Sequence, residues 1–134
     1  MAGPEAKLYK KIKKATPTIS WNRIENLSIP GMPDALCYNK YNTFFTVEFK
    51  VTKGNKLRLS PHQVAWHMSH PSSTYVLVHY IYKKNKKNFN EYRLYPGSRI
   101  EDLFRLRMNL EPFVLGSLED CACHLLQLEP VPVV

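Results

Sequence analysis

The stretch Asp34-Ala-Leu-Cys-Tyr-Asn-Lys-Tyr-Asn-Thr-Phe-Phe-Thr-Val-Glu-Phe-Lys-Val51 decides how this chain folds. It contains two β-type segments, 34–38 and 43–51, separated by a polar Asn-Lys-Tyr-Asn turn. Successive strand residues point to opposite faces, and here one alternate set is apolar while the other carries charge. We therefore expect a hairpin with one buried face and a second face that presents Asp34, Glu48 and Lys50.

The register of this hairpin decides which charged groups meet. With Lys40, Tyr41 and Asn42 as a three-residue loop, paired residue numbers sum to 82, and Asp34 lies directly opposite Glu48. Two facing carboxylates repel unless a divalent cation sits between them, and hard oxygen ligands favour Mg²⁺ or Mn²⁺. The nearby Lys50 could orient or deprotonate a water, so the pattern predicts a phosphodiesterase site.

The remaining sequence alternates between helical and β-type patterns. The segment 18–26 is ambiguous between a strand and irregular structure. Helices are predicted over 5–15, 60–70, 99–108 and 117–128, and strands over 72–82 and 89–95. We expect one domain, with a core over 1–110 and an acidic, apolar, helical segment over 111–134 that packs on the core.

Charge is distributed unevenly along the 134 residues. All 19 basic residues precede residue 111 and only seven acids do, so this part carries +12, whereas the last residues carry −4. A basic body of this kind predicts a polyanionic partner, and we expect DNA. The residues expected to contact DNA are Lys10, Lys11, Lys13, Lys14, Arg23, Lys53, Lys56 and Arg58.

Several classes of protein are disfavoured by composition. No apolar run is long enough to span a membrane and the lysine-rich start does not resemble a signal peptide, so we expect a cytoplasmic protein without a membrane partner. No glycine-rich phosphate loop is found, which argues against a nucleotide cofactor. Three cysteines without a secretory signal indicate reduced thiols. The cluster Cys121, Cys123 and His124 lacks the spacing of a structural zinc site.

Four motifs occur in an order that resembles a known family. They are Arg23-Ile-Glu25-Asn26, Gly31-Met-Pro-Asp34, Glu48-Phe-Lys50 and Leu59-Ser-Pro-His-Gln63. Together they resemble the PD-(D/E)xK nuclease superfamily, in particular its Holliday-junction-resolvase and VRR-NUC branch and small phage-type endonucleases, over about residues 5–110. The resemblance implies an α/β fold in which a four-stranded mixed sheet is flanked by helices, as in restriction endonucleases.

The resemblance also implies which residues form the site. Asp34, Glu48 and Lys50 would form its core, with Mg²⁺ or Mn²⁺ held by Asp34, Glu48 and a further acid. Glu25 fits that acid by its motif and Glu5 fits by its place on the first helix; Glu25 is preferred because Glu5 is near a terminus. Gln63 matches a site glutamine of the family, but it is equally explained as the third residue of a capping box begun by Ser60.

The interpretation that follows is a magnesium-dependent deoxyribonuclease, expected to be an endonuclease in preference to an exonuclease, with structure-selective cleavage as one form of that activity. A phage origin, with action in the host cytoplasm, and a homodimer are expected from the resemblance alone. Two alternatives stay open. The first is a non-catalytic DNA-binding or replication-accessory module with the same fold, and the second is a basic protein-interaction subunit that docks through its apolar C-terminal segment.

Overall fold

The computed structural model describes residues 3–24 and 29–130. Its helices are α1 (Gly3–Ala15), α2 (Pro61–Ser69), α3 (Ile100–Leu106) and α4 (Leu118–Leu126). Its strands are β1 (Ser20–Arg23), β2 (Ala35–Tyr38), β3 (Phe44–Lys53), β4 (Thr74–Lys84), β5 (Lys87–Pro96) and β6 (Val114–Gly116). Glu25 and Asn26 therefore lie outside the described residues.

The strands form one mixed sheet in the order β1-β2-β3-β4-β5-β6. Strands β3 and β4 are parallel and are connected by α2, whereas the other neighbouring pairs are antiparallel. The expected α/β combination of a mixed sheet with flanking helices is present. The expected number of four strands is wrong, because the sheet has six.

The two additional strands lie at the edges of the sheet, where sequence patterns are weakest. Strand β1 falls in the segment that was ambiguous, and of its four side chains only Trp21 is buried. Strand β6 falls within 111–134, which was expected to be helical, and has three residues ending in Gly116. Pairing with β2 and β5 gives these segments their strand conformation, since neither has a period that predicts it.

The two faces of the sheet are covered by different helices. Helices α1 and α4 pack on one face, in a cluster that contains Leu8, Ile12, Phe49 and Leu125. The other face packs with α3, in a cluster that contains Val76, Tyr95, Ile100 and Leu103 and against which Val64 of α2 is packed. Glu48 alternates with Phe49 along β3, so its side chain lies on the second face.

The hairpin β2–β3 has the predicted register. Ala35 pairs with Val47 and Tyr38 with Phe44, so that paired numbers sum to 82. The backbone N–H of Asn39 donates to the carbonyl of Thr43 at 3.2 Å, which leaves a three-residue loop whose last residue, Asn42, has φ +59°. A residue in the left-handed region at this position is typical of three-residue hairpin loops.

Asn39 links this hairpin to the C-terminal helix α4 by hydrogen bonds. Its side chain is buried, and the amide nitrogen donates to the carbonyls of Leu125 and Leu128 at 3.1 and 2.9 Å. The side-chain oxygen accepts the backbone N–H groups of Tyr41 and Thr43. The Asn39 side chain therefore provides hydrogen-bond partners both for N–H groups of the hairpin loop and for carbonyls at the end of α4.

Candidate active site

Asp34 immediately precedes Ala35, the first paired residue of β2. Continuing the register by one residue places it opposite Glu48, and facing residues of antiparallel strands have Cβ atoms roughly 5 Å apart. Its Oδ2 accepts the backbone N–H of Phe49 at 2.7 Å. The carboxylate is therefore fixed against β3 at the point where β2 begins.

Gly31 holds the loop before Asp34 against α2. Its φ is +82°, and a Cβ built there would overlap the backbone carbonyl of His62 and crowd the N–H of Gln63. Only glycine meets both conditions without strain, because it lacks a Cβ and tolerates positive φ. This contact brings the Asp34 loop next to the first turn of α2.

Glu48 is the most strongly perturbed acid of the site. Its side chain is 3% exposed, and burial, together with the hydrogen bond and the negative charge of Asp34, raises its pKa to about 9. The charge of Lys50 and the amide of Gln63 act in the opposite direction. At neutral pH, Glu48 therefore keeps a proton that it shares with Asp34.

One oxygen of Glu48 has no partner among the described residues. This atom, Oε1, is buried and accepts no hydrogen bond from residues 3–24 or 29–130. An orphaned carboxylate oxygen beside a second carboxylate is a pair of hard ligands, so the donor set fits a small divalent cation. Asp34 and Glu48 are the residues that would hold it.

Lys50 and Gln63 meet beside this pair. Lys50 Nζ donates to Gln63 Oε1 at 3.1 Å, and the same oxygen accepts the backbone N–H of Ser60 at 2.9 Å. The Ser60 hydroxyl in turn accepts the N–H of Gln63, which completes a capping box at the start of α2. The capping-box interpretation of Gln63 is therefore confirmed, and the same side chain contacts Lys50; its role as a site residue stays a prediction.

His67 is a buried group that the sequence did not identify as a site residue. It lies one turn after Gln63 on α2 and is 0% exposed; its Nδ1 donates to the Gln63 carbonyl at 2.8 Å. Its Nε2 has no hydrogen-bond partner in the described part of the chain, and burial lowers its pKa below the ordinary value, with Lys50 adding to the effect. The four-residue spacing from Gln63 was the available signal, but spacing alone does not separate a buried histidine from an exposed one.

The remaining predicted residues are spread over the molecule. Glu25 lies outside the described ranges, and Glu5 is on α1, which packs against the Phe49 face of β3 instead of the Glu48 face. The predicted DNA contacts are all exposed. Lys10, Lys11, Lys13 and Lys14 lie on α1, Arg23 ends β1, and Lys53, Lys56 and Arg58 follow Lys50 along the chain.

The site has two described acids instead of three. Across residues 3–24 and 29–130, no group of three His, Cys, Asp or Glu side chains is placed to hold a metal ion. Mg²⁺ is commonly bound through one or two carboxylates, with water and substrate phosphate completing its octahedron. The pair Asp34 and Glu48 is sufficient for that mode.

Comparisons with known proteins add no further constraint. No known protein family matches the chain, and it matches neither a curated protein nor a solved structure. No helix in the described part of the chain is long and apolar enough to cross a membrane.

Proposed function

We propose that this protein is a Mg²⁺- or Mn²⁺-dependent nuclease of PD-(D/E)xK type that hydrolyses DNA phosphodiester bonds as an endonuclease. The observation that carries the proposal is the pairing of Asp34 with buried Glu48, whose pKa is raised to about 9, beside Lys50. A structural salt bridge would not require two acids to face each other. Perturbed acids that converge with a lysine are typical of sites that do chemistry.

The two carboxylates hold a charge that the protein itself only partly compensates. Without an ion, Glu48 keeps its proton; with one, Asp34 and Glu48 would be the residues that hold it. A bound ion would supply polarisation of the scissile phosphate and compensation of its developing charge. Asp34 is fixed for this task by its hydrogen bond from Phe49.

Lys50 is the group placed to handle the attacking water. One of its three N–H donors is used by Gln63 Oε1, which fixes the direction of the side chain and leaves two donors for a water or a phosphate oxygen. A water held there lies on the same side of the sheet as both carboxylates. Lys50 thus orients the nucleophile and stabilises the transition-state charge.

The edge of β3 gives a substrate access to this site. Strand β2 begins at Ala35, opposite Val47, whereas β3 continues to Lys53. Beyond Glu48, which Asp34 faces, β3 therefore has no β2 residue paired with it, and the exposed Lys53, Lys56 and Arg58 follow in the sequence. A DNA backbone bound here would meet these basic side chains beyond Lys50.

Cleavage of a supercoiled plasmid in Mg²⁺, Mn²⁺ or EDTA tests the proposal. A circular substrate reports endonuclease activity, and labelled flaps and four-way junctions report structure selectivity. We expect metal-dependent cleavage that falls by about 10²-fold or more in Asp34→Asn, Glu48→Gln and Lys50→Ala. The matched controls are Glu119→Gln and Lys40→Ala, which change exposed residues away from the β3 site and should cleave like the wild type.

One result would contradict the nuclease proposal. If wild type and site variants bind DNA alike, with affinity that falls with salt, and nothing is cut under any metal condition, the protein is the non-catalytic DNA-binding module. Size-exclusion chromatography with light scattering of the same samples tests the homodimer that belongs to this proposal.

A further inference from the structure

The β4–β5 hairpin extends beyond its neighbours in the sheet. The last pairing with β3 joins Lys53 to Ile81, and the pairing with β6 begins at Tyr92. The segment 82–91 is therefore a two-stranded ribbon without a third strand. Its two turn residues, Asn85 and Lys86, have φ of +54° and +62°, which matches the tight two-residue turn that suits a twisted hairpin.

An aromatic column runs along one face of this ribbon. The Arg93 guanidinium lies 4.9 Å from the Tyr80 ring centre, Tyr80 stacks on Tyr82 at 4.7 Å, and Tyr82 stacks on Phe89 at 5.4 Å. Tyr82 also donates from its hydroxyl to Glu91 at 2.7 Å, which holds the ring in place. The column ends at Phe89, which is 39% exposed.

Lysines lie at the end of the column. Lys83, Lys84, Lys86 and Lys87 form the tip, and all four are exposed. On the opposite face of the ribbon, where Lys83 and Asn88 alternate with Tyr82 and Phe89, lies a cleft of about 560 Å³ whose lining includes Lys53, Lys56, Lys83 and the amides of Asn88 and Asn90. Within the described ranges, none of these lysines forms an ion pair with an acid. Their charge is available to a polyanion.

A purely structural role explains only part of this arrangement. A cross-strand aromatic pair such as Tyr82 and Phe89 stabilises an isolated ribbon. It does not require four lysines, none of them ion-paired within the described ranges, at the tip beside an exposed ring. Stacking platforms flanked by positive charge are how proteins bind single-stranded nucleic acid, because every base has a face that stacks.

We propose that the β4–β5 ribbon binds an unpaired DNA strand, with one base stacked on Phe89 and the adjoining phosphates on the lysines of the tip. Tyr82 lies six residues beyond Val76, the partner of Glu48, and both point to the same face of the sheet; at about 3.3 Å per residue they are some 20 Å apart. The consequence for activity rests on the proposed function. If the protein is a nuclease, it would act on DNA with a single-stranded segment near the cleaved bond.

Binding is measured without cleavage, by fluorescence anisotropy in EDTA. The probes are a labelled oligothymidylate of roughly 12 nucleotides, within the site sizes of single-strand-binding folds, and a duplex of the same length. We expect Phe89→Ala to weaken oligothymidylate binding about 5- to 150-fold and to leave duplex binding nearly unchanged. The control is Phe104→Ala, which removes a 52% exposed ring from the acidic helix α3 and should leave both affinities unchanged.

A second variant gives an optical readout. Phe89→Trp keeps a stacking surface, so oligothymidylate should bind at least as tightly as to wild type and change the tryptophan emission relative to the duplex. A double variant, Lys86→Ala with Lys87→Ala, should weaken both probes and flatten their salt dependence.

Two results would overturn the inference. One is oligothymidylate binding that Phe89→Ala leaves unaltered; the other is equal weakening of single strand and duplex in that variant. Because these titrations contain EDTA, they are independent of catalysis. Phe89-dependent binding without any metal-dependent cleavage would support the single-strand surface and contradict the proposed nuclease. Metal-dependent cleavage together with binding that does not depend on Phe89 would support the nuclease and contradict this surface.

Discussion

Lys50 and Ser60 are joined through a single atom: Oε1 of Gln63 accepts the Lys50 ammonium at 3.1 Å and the Ser60 backbone N–H at 2.9 Å. The cap of α2 and the charged group on β3 therefore share one acceptor. A change at the start of α2 should therefore also affect the position of Lys50. The two roles of Gln63, capping α2 and contacting Lys50, can be separated by substitution.

Gln63→Ala and Ser60→Ala make this separation. Each removes part of the capping box and should cost about 1 kcal/mol of unfolding free energy, measured by urea titration. Only Gln63→Ala also releases Lys50, so only this variant should lose cleavage rate beyond what its stability explains. Equal rates in the two variants would show that Gln63 acts through the cap alone.

The raised pKa of Glu48 predicts an unusual pH dependence of stability. An ordinary glutamate titrates near 4.5 when unfolded, and Glu48 titrates at about 9 when folded. The folded state then binds the extra proton, so stability is fully present below about pH 4.5 and is lost progressively as pH rises to about 9. Thermal melts in EDTA across this range should show that loss in wild type and a flatter profile in Glu48→Gln, while Glu119→Gln should follow wild type.

Metal binding should release the proton of Glu48. Since a carboxylate must be ionised to act as a ligand, Mn²⁺ binding at pH 7 should be coupled to proton release and should tighten as pH rises toward 9. Titration calorimetry in two buffers of different ionisation enthalpy measures the number of protons released. Glu48→Gln should release none, and identical heats in both buffers for the wild type would contradict the shared-proton site.

Substitutions of Gly31 and Gly54 can be compared to test how closely Gly31 approaches α2. Both glycines have positive φ, but of the two only Gly31 would, with a Cβ added, overlap a backbone atom, that of His62; a Cβ at Gly54 would have no atom of the described residues within 4 Å. Gly54→Ala should cost about 1–2 kcal/mol for its conformation alone, and Gly31→Ala about 2–5 kcal/mol, because it adds overpacking. Chemical denaturation compares them, and equal losses would mean that the loop relaxes away from α2.

Asn39→Asp tests the link between the hairpin and α4. A carboxylate there would face the carbonyls of Leu125 and Leu128 in place of a donor, which should cost about 2–4 kcal/mol. The exposed substitution Asn22→Asp should stay within about 0.5 kcal/mol. Unfolding free energies from urea titration decide between them, and a near-neutral Asn39→Asp would show that α4 is held by its apolar contacts alone.

The hairpin could be predicted because two independent signals agree on it. The apolar set that includes Cys37, Phe45 and Val47 requires one face to be buried, and a three-residue loop allows only the register that satisfies this pattern. The position of Asp34 opposite Glu48 followed from the same arithmetic. A slip of one residue would have exposed the whole apolar set.

Features formed by contacts between distant segments could not be predicted in this way. Strand β6 is too short for a period, and its conformation depends on pairing with β5. The burial of His67 and the overlap between Gly31 and His62 depend on how α2 packs, which spacing does not encode. The catalytic and metal-binding roles of the site residues stay predictions until cleavage is measured.

The parallel pairing of β3 and β4 has a kinetic consequence. The β2–β3 hairpin closes across three residues, whereas β4 joins β3 only after the chain has crossed through α2. Short loops close with less loss of entropy than long crossovers, so the two acids come together early and Lys50 meets Gln63 later. Folding rates should therefore respond to substitutions in the Lys40–Asn42 loop, while substitution of Gln63 should mainly speed unfolding.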